Sequence, residues 1–273
     1  MQPEDFTKIE SIFVRHRNCL LVRGQFIGLY TDHYLHLAEQ EIRYPVELDQ
    51  MLKDSLAMLA LHLTARPWAE TIAWTANLRA PRINLFATGS SLEESITGRV
   101  FTEDVREPDR NFFYVQTTTV EGKTPRVSTL EIEDKDPVDW ISQYYKQSEQ
   151  RPARAFRLED ENFALVAAQP DCDLGWLENL DEEAVAKIVE TEETTVLETR
   201  RFRFHCGCTL GKILPVLGGW RERLDALFQA AALVELLDER HRADLPESQA
   251  IADRLDAALA ALRAEGIRAW LTS

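Results

Sequence analysis

The sequence predicts an α+β protein: an N-terminal, mainly antiparallel sheet with helices, a short helical linker, and a mostly helical C-terminal region. Three observations carry this prediction. Strand-like alternation and turn residues surround one long leucine stripe over the first 170 or so residues, an acid-rich stretch follows, and two amphipathic stripes close the chain. The expected division is 1–175 for an α+β core domain, 176–200 for an acidic helical linker, and 201–273 for a C-terminal region with a C-x-C strand and a helical hairpin.

Taken in order, Asn18 to Asp32 carries strand-forming residues on either side of Arg23-Gly24 and predicts two short strands around a turn. From Pro45 to Thr64, Leu48, Met51, Leu52, Leu56, Leu59 and Leu63 recur at three and four, the spacing of one helix face, and Pro67 stops the run. Ile72, Trp74, Ala76 and Leu78 alternate with the period of a half-buried strand, and Ile83, Leu85 and Ala87 continue it after Pro81. Asn111 to Val120 and Arg126 to Glu133 flank Glu121-Gly122-Lys123-Thr124-Pro125 as a hairpin. Asp136-Pro137 opens a helix with an Asp at the N-cap and Pro at the first helical position, running to about Gln150. Ala153 to Pro170 returns to strand composition around Glu159-Asp160-Glu161-Asn162.

Asp181 to Glu198 holds seven acidic residues and one lysine, with Thr191, Thr194 and Thr195 diluting helix propensity, which reads as a marginal linker. Beyond it, Trp220 to Val234 and Ile251 to Leu262 each carry one apolar stripe, the pattern of a helical hairpin ended by Gly266.

A formal charge of −15 repels phosphates and anionic lipid, so neither nucleic acid nor membrane is an expected partner. No stretch has the ~18 consecutive apolar residues of a membrane span, and Met1 to Glu10 carries charges where a secretory signal is apolar, so the expected location is cytoplasmic. The motifs of phosphate-binding loops, dinucleotide folds, serine hydrolases and zinc proteases are missing, so no enzyme is predicted. His33 and His36, around Tyr34, read as packed or solvated rather than as ligands or bases.

The densest chemical feature is Phe202-Arg203-Phe204-His205-Cys206-Gly207-Cys208. On an extended strand the two sulfurs share a face, so they can hold a metal or be oxidised together. Their direct closure needs a bend, because residues two apart lie about 6.5 to 7 Å apart at Cα, and Gly207 makes that bend inexpensive. A structural zinc takes about four ligands. Completing the set in one chain requires Cys19, Cys172, a carboxylate or His241, and a site shared between two chains is the alternative.

Tyr145-Lys146-Gln147-Ser148-Glu149-Gln150-Arg151-Pro152 resembles the aromatic-x-Q-S-E-Q-x-P signature of the heat shock protein 33 family. Read without that likeness, it is a polar helix terminus beside an aromatic packing face. Leu21-Val22-Arg23-Gly24 is similar to the family's opening strand, and Tyr44-Pro45 with its leucine-striped helix to the family's first long helix. Gly98-Arg99-Val100-Phe101 is similar to its arginine-glycine turn with the order changed, and Arg203 to Cys208 to the strand entering its zinc module.

The resemblance implies a redox-regulated holdase chaperone: four cysteinates hold zinc in the reduced form, and oxidation releases the metal and exposes a client-binding surface on linker and core. It carries over only Cys206 and Cys208 as redox and zinc residues, because the family's second pair, C-x-x-C, is missing. The signature residues carried over are Tyr145, Gln147, Ser148, Glu149, Gln150 and Pro152. Zinc is the one cofactor implied, and the expected partners are unfolded or misfolded client proteins, with a homodimer as an alternative arrangement. Two other readings stand beside the holdase: a non-redox structural or interaction protein derived from the chaperone, and a thiol-disulfide oxidoreductase using Cys206 and Cys208 with Arg201 and Arg203 nearby.

Overall fold

The computed structural model describes residues 6–68, 70–119, 124–133 and 135–207. Among these residues ten strands form one mixed sheet: β1 (Thr7–Val14), β2 (Cys19–Gln25), β3 (Glu70–Arg79), β4 (Arg82–Ser90), β5 (Ser95–Phe101), β6 (Phe112–Thr119), β7 (Arg126–Glu131), β8 (Ala153–Arg157), β9 (Asn162–Ala168) and β10 (Thr194–Phe204). Their order is β7-β6-β3-β4-β5-β10-β1-β2-β9-β8. Only the β5–β10 pairing is parallel among the described strands. Five α-helices accompany them among the described residues: α1 (Ile27–Glu39), α2 (Val46–Thr64), α3 (Pro137–Gln147), α4 (Leu174–Glu178) and α5 (Glu182–Thr191).

This overturns the expected fold class. The sheet is mixed and does not end before the stretch read as linker: within that stretch the chain leaves α5 and re-enters the sheet as β10, between β1 and β5. The cause is local. Arg200, Phe202 and Phe204 point inward at every second position while Thr199, Arg201 and Arg203 point outward, so the strand read from Phe202 onward begins earlier, at Thr194, inside the acidic stretch. The mostly helical region expected after Trp220 lies outside the described residues.

A second correction concerns Asn18 to Asp32. The segment is one strand and one helix, and Gly24 is no turn but a point of close approach: a Cβ there would lie 3.0 Å from the Lys8 carbonyl oxygen and 3.1 Å from Ile9 Cγ1. Gly98, read as part of a turn, sits inside β5 opposite Ala87.

α2 is buried almost all round, not on one face, because it crosses the sheet beneath α3. Gly89 admits it, since a Cβ there would stand 2.5 Å from Leu63 Cδ1. Lys53, Asp54 and Thr64, buried along the helix, are partnered: Lys53 Nζ donates to Glu161 at 2.6 Å, Arg157 donates to Asp54 at 2.6 Å, and Thr64 donates to the Ala60 carbonyl; His62 Nε2 has no partner among the described residues.

The sheet is covered on both faces at one end. Along β2, Leu20 and Val22 join the main core with α2, while Cys19 and Leu21 face a second core; along β9, Phe163, Leu165 and Ala167 face the first, and Ala164, Val166 and Ala168 the second. α4 and α5 roof that second core.

Candidate client-binding face and thiol sites

The second core has a broad floor and a thin roof. Ile12, Val14, Leu21, Phe156, Ala164 and Val166 supply the floor; Leu177, Leu180, Val185 and Ile188 are the buried apolar side chains of the roof. α5 itself buries only Val185 and Ile188 over ten residues. Burial of two such side chains gives about 3–6 kcal/mol, against a backbone-ordering cost of about 1–2 kcal/mol per residue. The helix therefore leans on its caps and clamps.

Those clamps are polar. Asp173 accepts from the Trp176 N–H to cap α4, and Asp181 accepts from the Ala184 N–H to cap α5. Arg17 holds both ends of the roof: Nη1 donates to Asp173 at 2.9 Å, Nη2 donates to Glu192 at 3.1 Å, and the guanidinium lies 5.5 Å from the Trp176 ring centroid. The Trp176 N–H and Arg17 hold the Asp173 carboxyl below its ordinary range. Arg154 donates to the carbonyls of Leu177, Glu178 and Leu180, binding the α4–α5 joint to β8. A roof with few apolar anchors and many exposed polar ones belongs to the low-stability end of a fold.

The family-signature residues form a structural hub. Tyr145 is buried, its hydroxyl 3.1 Å from His62 Nδ1. Gln147 ends α3, the Ser148 N–H donates to the Tyr144 carbonyl, Gln150 takes φ 53°, and the Pro152 carbonyl accepts from Ala168 in β9. Glu149 is the centre: Arg66 donates to it at 2.6 Å, Arg126 at 2.7 Å and the Tyr144 hydroxyl at 2.7 Å. Burial pushes its carboxyl up, but the Tyr144 hydroxyl and the two guanidiniums outweigh it and leave Glu149 below its ordinary value. Arg66 also grips Glu70 of β3, and its carbonyl accepts from the fully buried Arg200 of β10. The run read as a polar helix terminus thus joins α2, α3, β3, β7 and β10.

Cys206 is partly exposed just beyond β10, where the neighbouring His205 N–H donates to the Ile96 carbonyl; Cys208 lies outside the described residues. Cys19 sits opposite Val14, which sits opposite Thr194 at the far end of β10. From Thr194 to Phe204, two residues short of Cys206, β10 runs roughly 33 Å at the rise of an extended strand. Cys19 and Cys172 therefore do not complete a zinc site with Cys206. Among the described residues no group of three or more His, Cys, Asp and Glu is placed to hold a metal ion.

Sequence reasoning missed a closer pair. Cys19 and Cys172 face each other with their sulfurs 3.2 Å apart in the second core. They are 153 residues apart, with no motif to join them.

His33 and His36 bracket the end of β10, their rings 5.0 and 5.3 Å from that of Phe204. His33 is fully buried with neither ring nitrogen hydrogen-bonded, and Asp49 Oδ1 stands 3.9 Å from Nε2. Burial lowers its pKa to about 4, against the raising effect of Asp49. The unfolded chain thus binds a proton that the folded chain refuses. The stability this contributes is complete above the ordinary value of 6.5 and is lost as pH falls towards 4; the loss reaches about 2 kcal/mol by pH 5. Thermal unfolding at about pH 7 and pH 5 should show this loss, and His33→Leu should remove it. His62, buried beside Tyr145 and lowered by burial, adds in the same direction.

The architecture, a ten-stranded mixed sheet crossed by one buried helix on one face and roofed by two short helices on the other, is a heat shock protein 33-like fold. The 33 kDa chaperonin (heat shock protein 33 homolog) of Thermotoga maritima superposes with a TM-score of 0.57 at 15% identity, over 77% of this chain and 84% of that one. At that identity the likeness is one of fold. No protein-family model and no curated protein matches the sequence. No helix among the described residues is long and apolar enough to cross a membrane.

Proposed function

We propose that the protein is an ATP-independent holdase chaperone, binding unfolded clients on the sheet face that α4 and α5 cover. The second core carries the reading: a continuous apolar floor on four strands lies under a roof with four buried apolar side chains. Lifting the roof offers aliphatic surface and strand backbone, which bind extended apolar segments without selecting a sequence. Binding of this kind needs no catalytic group. The fold's likeness to a chaperonin supports the reading at the level of architecture.

Light scattering from a heat-denatured client tests it. Near-stoichiometric protein should suppress the scattering, whether reduced or after peroxide; no protection in either state overturns the reading. Redox control through Cys206 and Cys208 is part of the proposal, with peroxide raising protection and the Cys206→Ser, Cys208→Ser double variant losing that rise.

A further inference from the structure

We propose that Cys19 and Cys172 form a reversible disulfide that pins the root of α4 to β2 and holds the roof of the second core closed. Cys19 begins β2 and is fully buried; Cys172 is partly exposed in the turn between β9 and α4. Their sulfurs, 3.2 Å apart, need to approach by only about 1.2 Å to bond. The two backbones that carry them are already clamped together. Asn18 accepts from the Gln169 N–H and donates to the Asp171 carbonyl, the Asp173 N–H donates to the Arg17 carbonyl at 3.0 Å, and the Cys172 N–H donates to Gln169 within its turn.

Exposure assigns the order of events. Burial, and then the neighbouring Cys172, push the Cys19 thiol well up, which suits a second, resolving partner and not the first nucleophile. With a peroxide as oxidant, the Cys172 sulfur attacks one peroxide oxygen: an S–O bond forms, the O–O bond breaks, and the other oxygen leaves as water. The Cys19 sulfur then attacks the Cys172 sulfenic acid: the S–S bond forms, the S–O bond breaks, and the Cys19 proton departs with the hydroxide as a second water. Two thiols and one peroxide thus give one disulfide and two waters, and a dithiol reductant reverses the change.

The bond sits beside Asp173, whose carboxylate caps α4 and accepts from Arg17. Closing it joins the roof covalently to its floor where the roof begins, while β10 holds the other end in the sheet. Oxidation here closes the client face, opposite in sign to the effect proposed for Cys206 and Cys208. The consequence for clients rests on the holdase reading; the bond itself does not.

The test uses the full chain. After mild peroxide and non-reducing digestion, the peptide holding Cys19 should be recovered joined to that holding Cys172, lighter by two hydrogens and separable by reductant. In the Cys206→Ser, Cys208→Ser background, amide exchange over 174–191 should slow about tenfold on oxidation, client protection should fall, and Cys172→Ser should abolish both changes. Two free thiols persisting after peroxide in that background would overturn the proposal, as would a linked peptide with unchanged exchange in α4. A linked peptide with slowed exchange and no client protection in any form keeps the disulfide and removes the holdase reading.

Discussion

Replacing Ile188 with Asp should open the roof of the second core and raise client protection in the reduced protein. Ile188 is one of two buried side chains of α5 and is 1% exposed. The substitution removes about 1.5–3 kcal/mol of burial and puts a carboxylate where its only alternatives are an unpaired buried charge or solvent. Solvent wins if α5 leaves the sheet. The cost, about 3 kcal/mol or more, falls on the roof alone, because no side chain of α4 or α5 belongs to the main core around α2. Amide exchange over 182–191 should accelerate about a hundredfold, and a dye that binds apolar surface should brighten. Aggregation of a denatured client should be suppressed more strongly than by the reduced wild type, while the main cooperative unfolding transition persists. Unchanged exchange in a folded variant would show that the Arg17 and Arg154 clamps hold the roof without Ile188. Faster exchange with no gain in protection would separate opening from client binding.

How much of this face could be read from the sequence depends on how local each signal was. The stripe of α2, the Asp136-Pro137 start of α3, and the hairpins β6–β7 and β8–β9 were legible because caps, turns and periodicity act over a few residues. α1 was not. Ile27, Tyr30, Thr31 and Tyr34 favour strands intrinsically, and the helix is settled by tertiary packing, with the Leu29 N–H donating to Thr7 Oγ1 and Tyr30 buried against Phe26. The Phe202 end of β10 was legible as a strand, but Thr194 to Arg200 was misread as linker because net charge was weighed over period. The second core did leave a trace: the apolar runs Cys19 to Val22 and Phe163 to Ala168 do not alternate, as expected of strands covered on both faces. The Cys19–Cys172 pair and the Arg200 anchor left none, since each is a meeting of segments more than 130 residues apart.

The signature residue Glu149 should carry the largest effect outside the roof, and its effect should be on stability rather than on client binding. Its side chain is 9% exposed and bridges Arg66, 15% exposed, to Arg126 and the Tyr144 hydroxyl. Removing one partner of a buried pair leaves the other's charge uncompensated, typically at about 3–5 kcal/mol; Arg66 keeps Glu70, which places Glu149→Ala near the lower end. Glu149→Gln keeps the shape and an acceptor for Tyr144 but turns an amide N–H₂ towards one guanidinium, so about 2 kcal/mol is expected. The denaturant midpoint at neutral pH should fall in that order, with little help from added salt, since a buried bridge is weakly screened. Acid supplies the sign. Glu149 lies below its ordinary value of 4.5 in the folded chain, so its contribution is present above 4.5 and is lost as pH falls through the folded value. The gap between wild type and Glu149→Ala should therefore narrow in strong acid. A gap that stays constant through acid would mean that the side chain acts by packing alone. Client protection at a temperature where both variants are folded should match wild type, because the hub lies in the framework that carries the sheet and not in the face the roof uncovers.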